Sequence, residues 1–150
     1  MPTHAEKKFL PYTPTELFDL VADMERYPEF LPWCVGTRIR SREGNVVVSD
    51  MIIGYKAFRE RFTSRVVLDR PTRIDVAYTE GPFKYLTNHW IFRAEENGTT
   101  IDFFVDFEFR SRILQALIGV VFNEAVRIMV NAFERRAEVV YGKREVPKIR

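Results

Sequence analysis

The spacing of hydrophobic residues along this chain changes once, near Arg110. From Val35 to Phe109, apolar residues mostly alternate with polar ones, which is the period of a strand with one buried face. The alternation is clearest over residues 101–109, where Ile, Phe, Val, Phe and Phe occupy every second position. Turn-forming residues interrupt the pattern at short intervals and divide it into six antiparallel strands. The predicted turns lie at 43–45, 54–55, 69–72, 81–82 and 96–98.

The segment before Val35 predicts a further strand and a short helix. Thr3 to Leu10 shows polar alternation, and Pro11 and Pro14 end that strand. Thr15 is the predicted N-cap of the helix. The apolar face of this helix is formed by Leu17, Phe18, Leu20 and Val21.

After Arg110 the apolar residues follow the spacing i, i+3, i+4, i+7, which predicts a helix that Ser111 caps and that ends near Gly142. Such a helix has about 30 residues and is about 45 Å long at 1.5 Å per residue. The predicted fold class is therefore α+β, with a curved antiparallel sheet of about seven strands around a long C-terminal helix. We expect one domain over residues 1–150.

The segment Glu25–Cys34, called here the elbow, concentrates three aromatic residues, two prolines and the only cysteine in ten positions. Proline fixes φ and disfavours helical geometry in the preceding residue, so the elbow is not expected to continue the short helix. Its apolar side chains must pack against something. Two interpretations stay open, namely a plug that completes the core and a lid over a ligand.

A straight helix that crosses a curled sheet does not fill the space beneath it evenly. The inward-facing residues therefore either form a closed core or line a cavity for a flat, hydrophobic molecule. Four polar candidates on the inward faces lie at the rim or bind the polar part of a ligand. These polar candidates are Glu60, Ser64, Asn88 and, less clearly placed, Asp50. The predicted ligand-binding residues are Trp33, Phe58, Phe62, Tyr78, Trp90, Phe92, Phe103, Phe107, Leu117, Val121 and Met129.

Composition limits the classes of partner. Of the 150 residues, 46% are hydrophobic and 14% aromatic, and 23 basic residues nearly balance 21 acidic ones. A net charge of +2 gives no electrostatic case for DNA binding. Ribosome binding would require a local basic surface on the outward side of the sheet. The arginines that could supply one are Arg38, Arg40, Arg59, Arg61 and Arg65.

The residues that could carry chemistry are few and scattered. His4 and His89 are far apart, no metal-ligand spacing or phosphate-binding loop occurs, and no nucleophile has an adjacent base. Cys34 can be interpreted as a nucleophile or as a small buried hydrophobe. We therefore predict a protein that is not an enzyme and uses no cofactor or metal.

A single cysteine excludes an intrachain disulfide and is typical of a reducing compartment. The N-terminus shows no signal-peptide pattern, and no apolar run is long enough to span a membrane. These features predict a cytoplasmic protein.

Four segments carry a resemblance to a known family. The run Leu20–Cys34 closely resembles the signature of the coenzyme Q-binding START-domain proteins, a branch of the helix-grip superfamily related to polyketide cyclases and dehydrases. Three further matches cover most of the remaining chain. They are Phe62–Val66, Gly81–Leu86 with Trp90–Phe92, and Asp106–Phe109.

The resemblance implies a hydrophobic cavity under the long helix that binds ubiquinone or a related polyprenyl lipid. The implied role is that of a carrier or chaperone supporting respiratory electron transfer and ubiquinone biosynthesis. Relatives are also similar to a ribosome-association toxin that blocks subunit joining, and an aromatase or cyclase enzyme is a further alternative. The absence of a mitochondrial transit peptide fits a bacterial member that acts from the cytoplasm, at the periphery of the inner membrane.

The start of the long helix has an unusual composition. From Ile113 to Phe122 the only strongly polar residue is Gln115, so this segment is apolar almost all round. Either the sheet and the elbow cover both of its sides, or one side is exposed and makes transient contact with the membrane surface that holds the quinone. In the second case Trp33 or Phe83 lies nearby, and the flanking Arg110 and Arg112 assist the contact.

Overall fold

Seven antiparallel strands form one sheet that packs against the long C-terminal helix. The computed structural model describes residues 3–55 and 58–144. The elements are β1 Thr3–Leu10, α1 Pro14–Ala22, a 3₁₀ helix Met24–Glu29, β2 Cys34–Glu43, β3 Val46–Tyr55, β4 Phe58–Asp69, β5 Arg73–Glu80, β6 Phe83–Glu95, β7 Gly98–Phe109 and α2 Arg112–Tyr141. The strand order is β1-β7-β6-β5-β4-β3-β2. The predicted fold class, a curved antiparallel sheet around a long helix, is confirmed.

The sheet is a meander of six strands to which β1 is added at the β7 edge. Thr3 pairs with Asp106 and Leu10 pairs with Thr99. The segment containing α1 and the 3₁₀ helix then crosses to the other edge, where β2 begins at Cys34. This crossing places α1 and the elbow on the side of the sheet that α2 also covers, so both contribute to the same core.

Helix α1 begins one residue before the predicted cap. Thr13, not Thr15, is the N-cap, because its hydroxyl accepts a hydrogen bond from the Glu16 amide at 3.1 Å while the Glu16 carboxylate accepts one from the Thr13 amide at 2.9 Å. Pro14 is favourable at the first helical position, since the amide it lacks would have no partner within the helix. The prediction that Thr15 caps α1 is therefore wrong.

Helix α2 has the predicted length but is not straight. Its two parts, called here the tip (Arg112–Val120) and the stem (Phe122–Tyr141), meet at an angle of 65°. Gly119, one residue before the tip ends, weakens the helix at that place because glycine has the greatest backbone freedom. Within the described ranges, no single helix is long and apolar enough to span a membrane. Only tip and stem taken together across the bend reach that length and composition.

The stem is firmly attached at both its face and its end. Phe122, Val126, Phe133 and Ala137 lie on one helix face and are buried against the sheet. At the end of the stem, the Tyr12 hydroxyl donates to the Gly142 carbonyl at 2.9 Å.

Helix α1 provides the second attachment of the stem's end. The Tyr141 hydroxyl donates to the Glu16 carbonyl at 2.9 Å, and Arg144 binds the Glu16 carboxylate at 2.6 Å. The hydrogen bond from Arg144 lowers the pKa of Glu16 to about 2. The end of the stem is thus tied to α1 and to the turn between β1 and α1.

The elbow packs as part of the core. Tyr27 is buried, its hydroxyl donates to the Val21 carbonyl, and its ring meets the edge of Phe133 at 5.4 Å between centroids. Arg136 of the stem lies over the Phe30 ring at 5.1 Å and binds the Glu29 carboxylate at 2.8 Å. In this structure the elbow therefore has the role of a plug.

Candidate functional site

A continuous layer of aromatic rings fills the space between the sheet and α2. Phe83 is central: its ring meets Phe62 and Phe107 edge-on, each at 5.5 Å between centroids. Phe107 in turn contacts Phe122 of the stem at 5.1 Å. Edge-to-face geometry of this kind is favourable for aromatic rings beyond the area they bury. We call this set the aromatic layer, and it consists of Phe62, Phe83, Phe103, Phe107 and Phe122.

A second aromatic contact lies further along the stem. Trp90 of β6 meets the edge of Phe103 at 4.7 Å and of Phe133 at 5.2 Å. The Trp90 indole donates to the Asn88 side-chain oxygen at 3.2 Å, and the Asn88 amide donates to the Phe104 carbonyl at 2.7 Å. The indole and the Asn88 amide, which are the polar groups at this place, therefore have partners within the protein.

The aromatic layer is closed in this conformation. A cavity of about 20 Å³ lies where β1, β6 and β7 meet the stem, and Glu6 and Lys8 line it on the β1 side. That volume holds about one water molecule. Ligand pockets for drug-sized molecules usually enclose about 300–1,000 Å³. A larger ligand can therefore enter only if side chains of the layer or α2 move.

Two buried hydroxyls on the inward face have no partner among the described residues, those of Ser64 on β4 and Thr37 on β2. Ser64 of β4 is 3% exposed, and its hydroxyl makes no hydrogen bond within the protein. Its neighbour across the ladder, Ser49, is also buried and has only the Met24 sulfur as an acceptor, at 3.8 Å. A buried hydroxyl without a partner costs about 1–3 kcal/mol. Ser64 and the less deeply buried Thr37 therefore have most to gain from a bound oxygen atom.

Two further polar candidates, Glu60 and Asp50, have surroundings that differ from those of Ser64. Glu60 is half-buried and pairs with Ile53, whose side chain packs against the core. Asp50, in contrast, lies on the outward face of β3, where Thr63 donates to it at 2.6 Å and Arg40 at 2.7 Å. Burial of Asp50 opposes ionisation, but these hydrogen bonds outweigh it and lower the pKa. The prediction of an inward Asp50 is wrong.

The structure brings most of the predicted ligand-binding residues together. Five of them are buried in the core beneath α1 and α2, and Tyr78 and Met129 are half-buried against it. Trp33 is half-buried in the elbow. The side chains of Phe58 and Val121 lie outside the described residues. The five buried residues are Phe62, Trp90, Phe92, Phe103 and Phe107.

Leu117 is the predicted ligand-binding residue that the structure contradicts. It is 51% exposed, and Ile118, one position along, packs against the core instead. The difference is confined to the tip, because Met129 on the stem packs against the core as predicted. Because the tip is apolar on nearly all sides, periodicity alone could not distinguish these two faces.

Sequence reasoning also missed inward residues on two strands. Phe83, at the centre of the aromatic layer, is out of phase with the alternation that places Trp90 inward. A bulge between Phe83 and Tyr85 shifts the register and turns the Phe83 side chain inward. On β1, Glu6 and Lys8 face α2, and Lys8 binds Glu134 of the stem at 2.7 Å. Their charge indicated solvent exposure, although they lie at the edge of the interface.

The single cysteine is placed unfavourably for nucleophilic chemistry. Cys34 is buried at the start of β2, and its thiol approaches the Gly36 carbonyl at 3.8 Å. Burial raises the pKa of this thiol to about 11, so the thiolate is scarce at neutral pH. His89 lies on the outward face of the sheet, stacked on Phe104.

The outward side of the sheet has a different character. Arg61 pairs with Ile52, Arg65 with Val48 and Arg59 with Gly54, so these three arginines share the face on which Asp50 lies. Of the five exposed arginines there, only Arg40 forms an ion pair within the described ranges. We call this surface the arginine face, and it consists of Arg38, Arg40, Arg59, Arg61 and Arg65.

Comparison with known proteins identifies the family. Residues 10–134 match the sequence profile described as polyketide cyclase / dehydrase and lipid transport. The chain belongs to this family. A relative within it, the ribosome association toxin RatA of Rickettsia prowazekii, is 42% identical over 137 residues, which cover 89% of this chain and 94% of the relative. Because it covers 89% of this chain, the match extends well beyond the elbow.

A second relative carries a different name. The mitochondrial coenzyme Q-binding protein COQ10 homolog B of Xenopus laevis is 32% identical over 149 residues, which cover 96% of this chain but 61% of the frog protein. The resemblance drawn from the sequence motifs, to START-like proteins with coenzyme Q-binding and ribosome-association relatives, is confirmed.

Solved structures support the same fold. The Zhui aromatase/cyclase of a Streptomyces species superimposes on this START-like chain with a TM-score of 0.80, over 91% of this chain and 93% of that one. The two sequences are 16% identical, so the likeness concerns the fold alone.

Proposed function

We propose that this protein binds ubiquinone or a related polyprenyl quinone between the sheet and α2 and acts as its carrier or chaperone. The observation that carries the proposal is the unpaired, buried hydroxyl of Ser64 on the same inward face as the aromatic layer. A quinone ring is flat and apolar on its faces and carries carbonyl oxygens that accept hydrogen bonds. It therefore matches an interior of aromatic rings in which buried hydroxyl donors lack partners.

The bound state requires the layer to open. Gln115 of the tip accepts a hydrogen bond from the Phe109 amide at 2.8 Å, whereas the stem is tied to β1, α1 and the elbow. The tip is therefore the part of α2 that we expect to move. When the tip moves away, the rings of Phe83, Phe107 and Phe122 become accessible, and the ring of the quinone replaces some of their mutual contacts. The isoprenoid tail then follows the apolar inner side of the tip, on which Ile118 lies.

A carrier role is consistent with the chemistry of the interior. The proposal assigns no covalent step to Cys34, whose thiol is kept protonated by burial. The frog relative is named a coenzyme Q-binding protein, and this name supports a quinone as the ligand.

Two measurements test the proposal. Organic extraction of purified protein followed by mass spectrometry should recover a polyprenyl quinone in near-stoichiometric amount. In titrations of a Trp33→Phe variant, in which Trp90 is the remaining tryptophan, a ubiquinone with a short tail should quench the fluorescence saturably. An isoprenoid hydrocarbon without carbonyl groups should compete weakly. Absence of lipid from the extract together with unsaturable quenching would exclude quinone binding.

The arginine face supports a second candidate function, association with the ribosome. Four of its members, Arg38, Arg59, Arg61 and Arg65, are exposed and free of ion pairs among the described residues. Exposed arginines at this density suit the phosphate backbone of RNA. The name of the Rickettsia relative supports the same partner.

Co-sedimentation with ribosomal subunits tests this second candidate. The double substitution Arg59→Gln and Arg61→Gln should weaken co-sedimentation and reduce its salt dependence, since each lost phosphate contact lowers the slope by about one. The double substitution Arg127→Gln and Arg135→Gln, which removes two charges at exposed positions on the stem, is the matched control. Equal loss in both variants would assign the binding to net charge and not to the arginine face.

A further inference from the structure

The tip of α2 exposes an apolar stripe. Ile113 is 82% exposed, Leu117 51% and Val120 85%. Their spacing of four and three positions places the three side chains on one helix face. Single exposed hydrophobic residues are common on protein surfaces, whereas a contiguous apolar stripe usually marks an interaction site.

The fold itself cannot cover this stripe. The opposite side of the tip already faces the core through Ile118. The stem differs, because Glu124, Arg127 and Arg135 are exposed on it and give its outer face charge. The stem also exposes Ile128, Val139 and Val140, but its charged residues interrupt them, whereas the solvent side of the tip beyond Arg112 carries no charge.

The charges around the stripe are of one sign. From residue 109 to residue 123 the chain contains no acidic residue, and Arg110 and Arg112 lie exposed at the start of the tip. Glu108, the preceding carboxylate, is neutralised by Lys84 at 2.8 Å. Arg112 forms no ion pair with any residue in the described ranges. An apolar stripe beside unpaired cations is complementary to an anionic lipid surface.

We propose that the tip is a docking element that inserts shallowly into the surface of an anionic bilayer. This inference rests on the proposed function, since a polyprenyl quinone resides in the bilayer and the tip is the part of α2 that opens the aromatic layer. The tip is about 14 Å long at 1.5 Å per residue, so it lies in the interface and does not span the membrane. A second copy of the chain is a less suitable occupant, because a stable dimer interface needs about 20–30 residues a side.

Vesicle flotation tests the docking element without any quinone. Wild-type protein should float with phosphatidylcholine vesicles that contain phosphatidylglycerol, and far less with phosphatidylcholine alone. Ile113→Glu and Val120→Glu should each lower the partition coefficient by about tenfold or more, because a carboxylate replaces an inserted apolar group. Val139→Glu, at a position that is 77% exposed on the stem, is the matched control and should change it by less than about twofold.

The outcomes separate docking from ligand binding. Wild-type protein that stays at the bottom of the gradient, or a Val139→Glu variant that loses flotation equally, overturns the docking proposal. So does a concentration-dependent dimer, measured by light scattering, that Ile113→Glu abolishes, since the stripe would then cover a second copy. Quinone affinity in detergent micelles is measured in parallel. Its absence in wild-type protein that still floats refutes the proposed function and leaves the docking element in place.

Discussion

Replacing Phe107 by alanine tests whether the aromatic layer is both core and ligand site. Phe107 is buried, and its ring contacts Phe83 and Phe109 at 5.5 Å and Phe122 at 5.1 Å between centroids. Such a change usually costs about 3–5 kcal/mol. The cost should lie in the upper half of that range, since its neighbours are held by strands and by the stem and cannot collapse into the space. A domain of this size is stable by about 5–15 kcal/mol, so the variant should still fold.

Phe104 provides the control on the same strand. It lies on the opposite face of β7, half-buried, and its ring stacks on His89 at 5.1 Å. Phe104→Ala should cost about 1 kcal/mol or less, because it removes one partly solvated contact. Urea unfolding followed by circular dichroism gives both free energies. In thermal scans, Phe107→Ala should lower the Tm by about 8–20 °C, at about 2–4 °C per kcal/mol.

Quinone affinity measured on the folded variants decides the interpretation. If Phe107 contacts the ligand, its removal should raise the Kd by about tenfold or more, equivalent to about 1.4 kcal/mol, while Phe104→Ala leaves the Kd unchanged. A Phe107→Ala variant that is less stable but binds quinone normally would show that Phe107 belongs to the core alone. Equal destabilisation by the two variants would refute the packing argument itself.

Three further changes test other parts of the structure. Ser64→Ala should leave the free energy of unfolding unchanged or raise it by about 1 kcal/mol, because a buried hydroxyl without a partner is removed. The same change should weaken quinone binding by about tenfold. A variant that is less stable but binds quinone normally would contradict the role of Ser64 as a donor. Glu16→Gln should cost about 1 kcal/mol at pH 7, allowing for solvent around Arg144. Since Arg144 lowers the pKa of Glu16 from 4.5 to about 2, that difference in urea-unfolding free energy should disappear as the pH falls from 4.5 towards 2. Cys34, whose thiol has a pKa raised to about 11, should be alkylated at pH 8 only after unfolding, as mass spectrometry would show.

The sheet could be predicted from the sequence because its signal is local. The strands of the meander other than β3 mostly alternate in polarity, and each turn contains residues that favour turns, so spacing alone indicated the sheet. Asp50 shows the limit of that reasoning. β3 is apolar on both sides in sequence, so nothing indicated which of its two faces is buried, and the position of Asp50 depends on its pairing with Thr63.

The site was less predictable because it depends on contacts between distant residues. The inward turn of Phe83 needs a bulge that alternation cannot reveal, and the inner face of α2 needs the sheet to select it from a tip that is apolar all round. The bend between tip and stem also has no clear sequence signal apart from Gly119. The hydroxyl of Ser64 was recognised as inward, but only the structure shows that it has no partner.

The position of β1 beside β7 has a consequence for the order of folding. β1 is made first, but its partner strand follows only after the whole meander, and the Tyr12 hydroxyl bonds to the Gly142 carbonyl 130 positions later. During synthesis, the apolar inner face formed by β2 to β6 is therefore exposed, because β1 is not yet paired and the stem that covers this face has not yet been made. Contacts of such long range slow folding and leave apolar surface open to aggregation. Nascent chains of this protein should therefore depend on a chaperone, or on a bound lipid, until the stem is released.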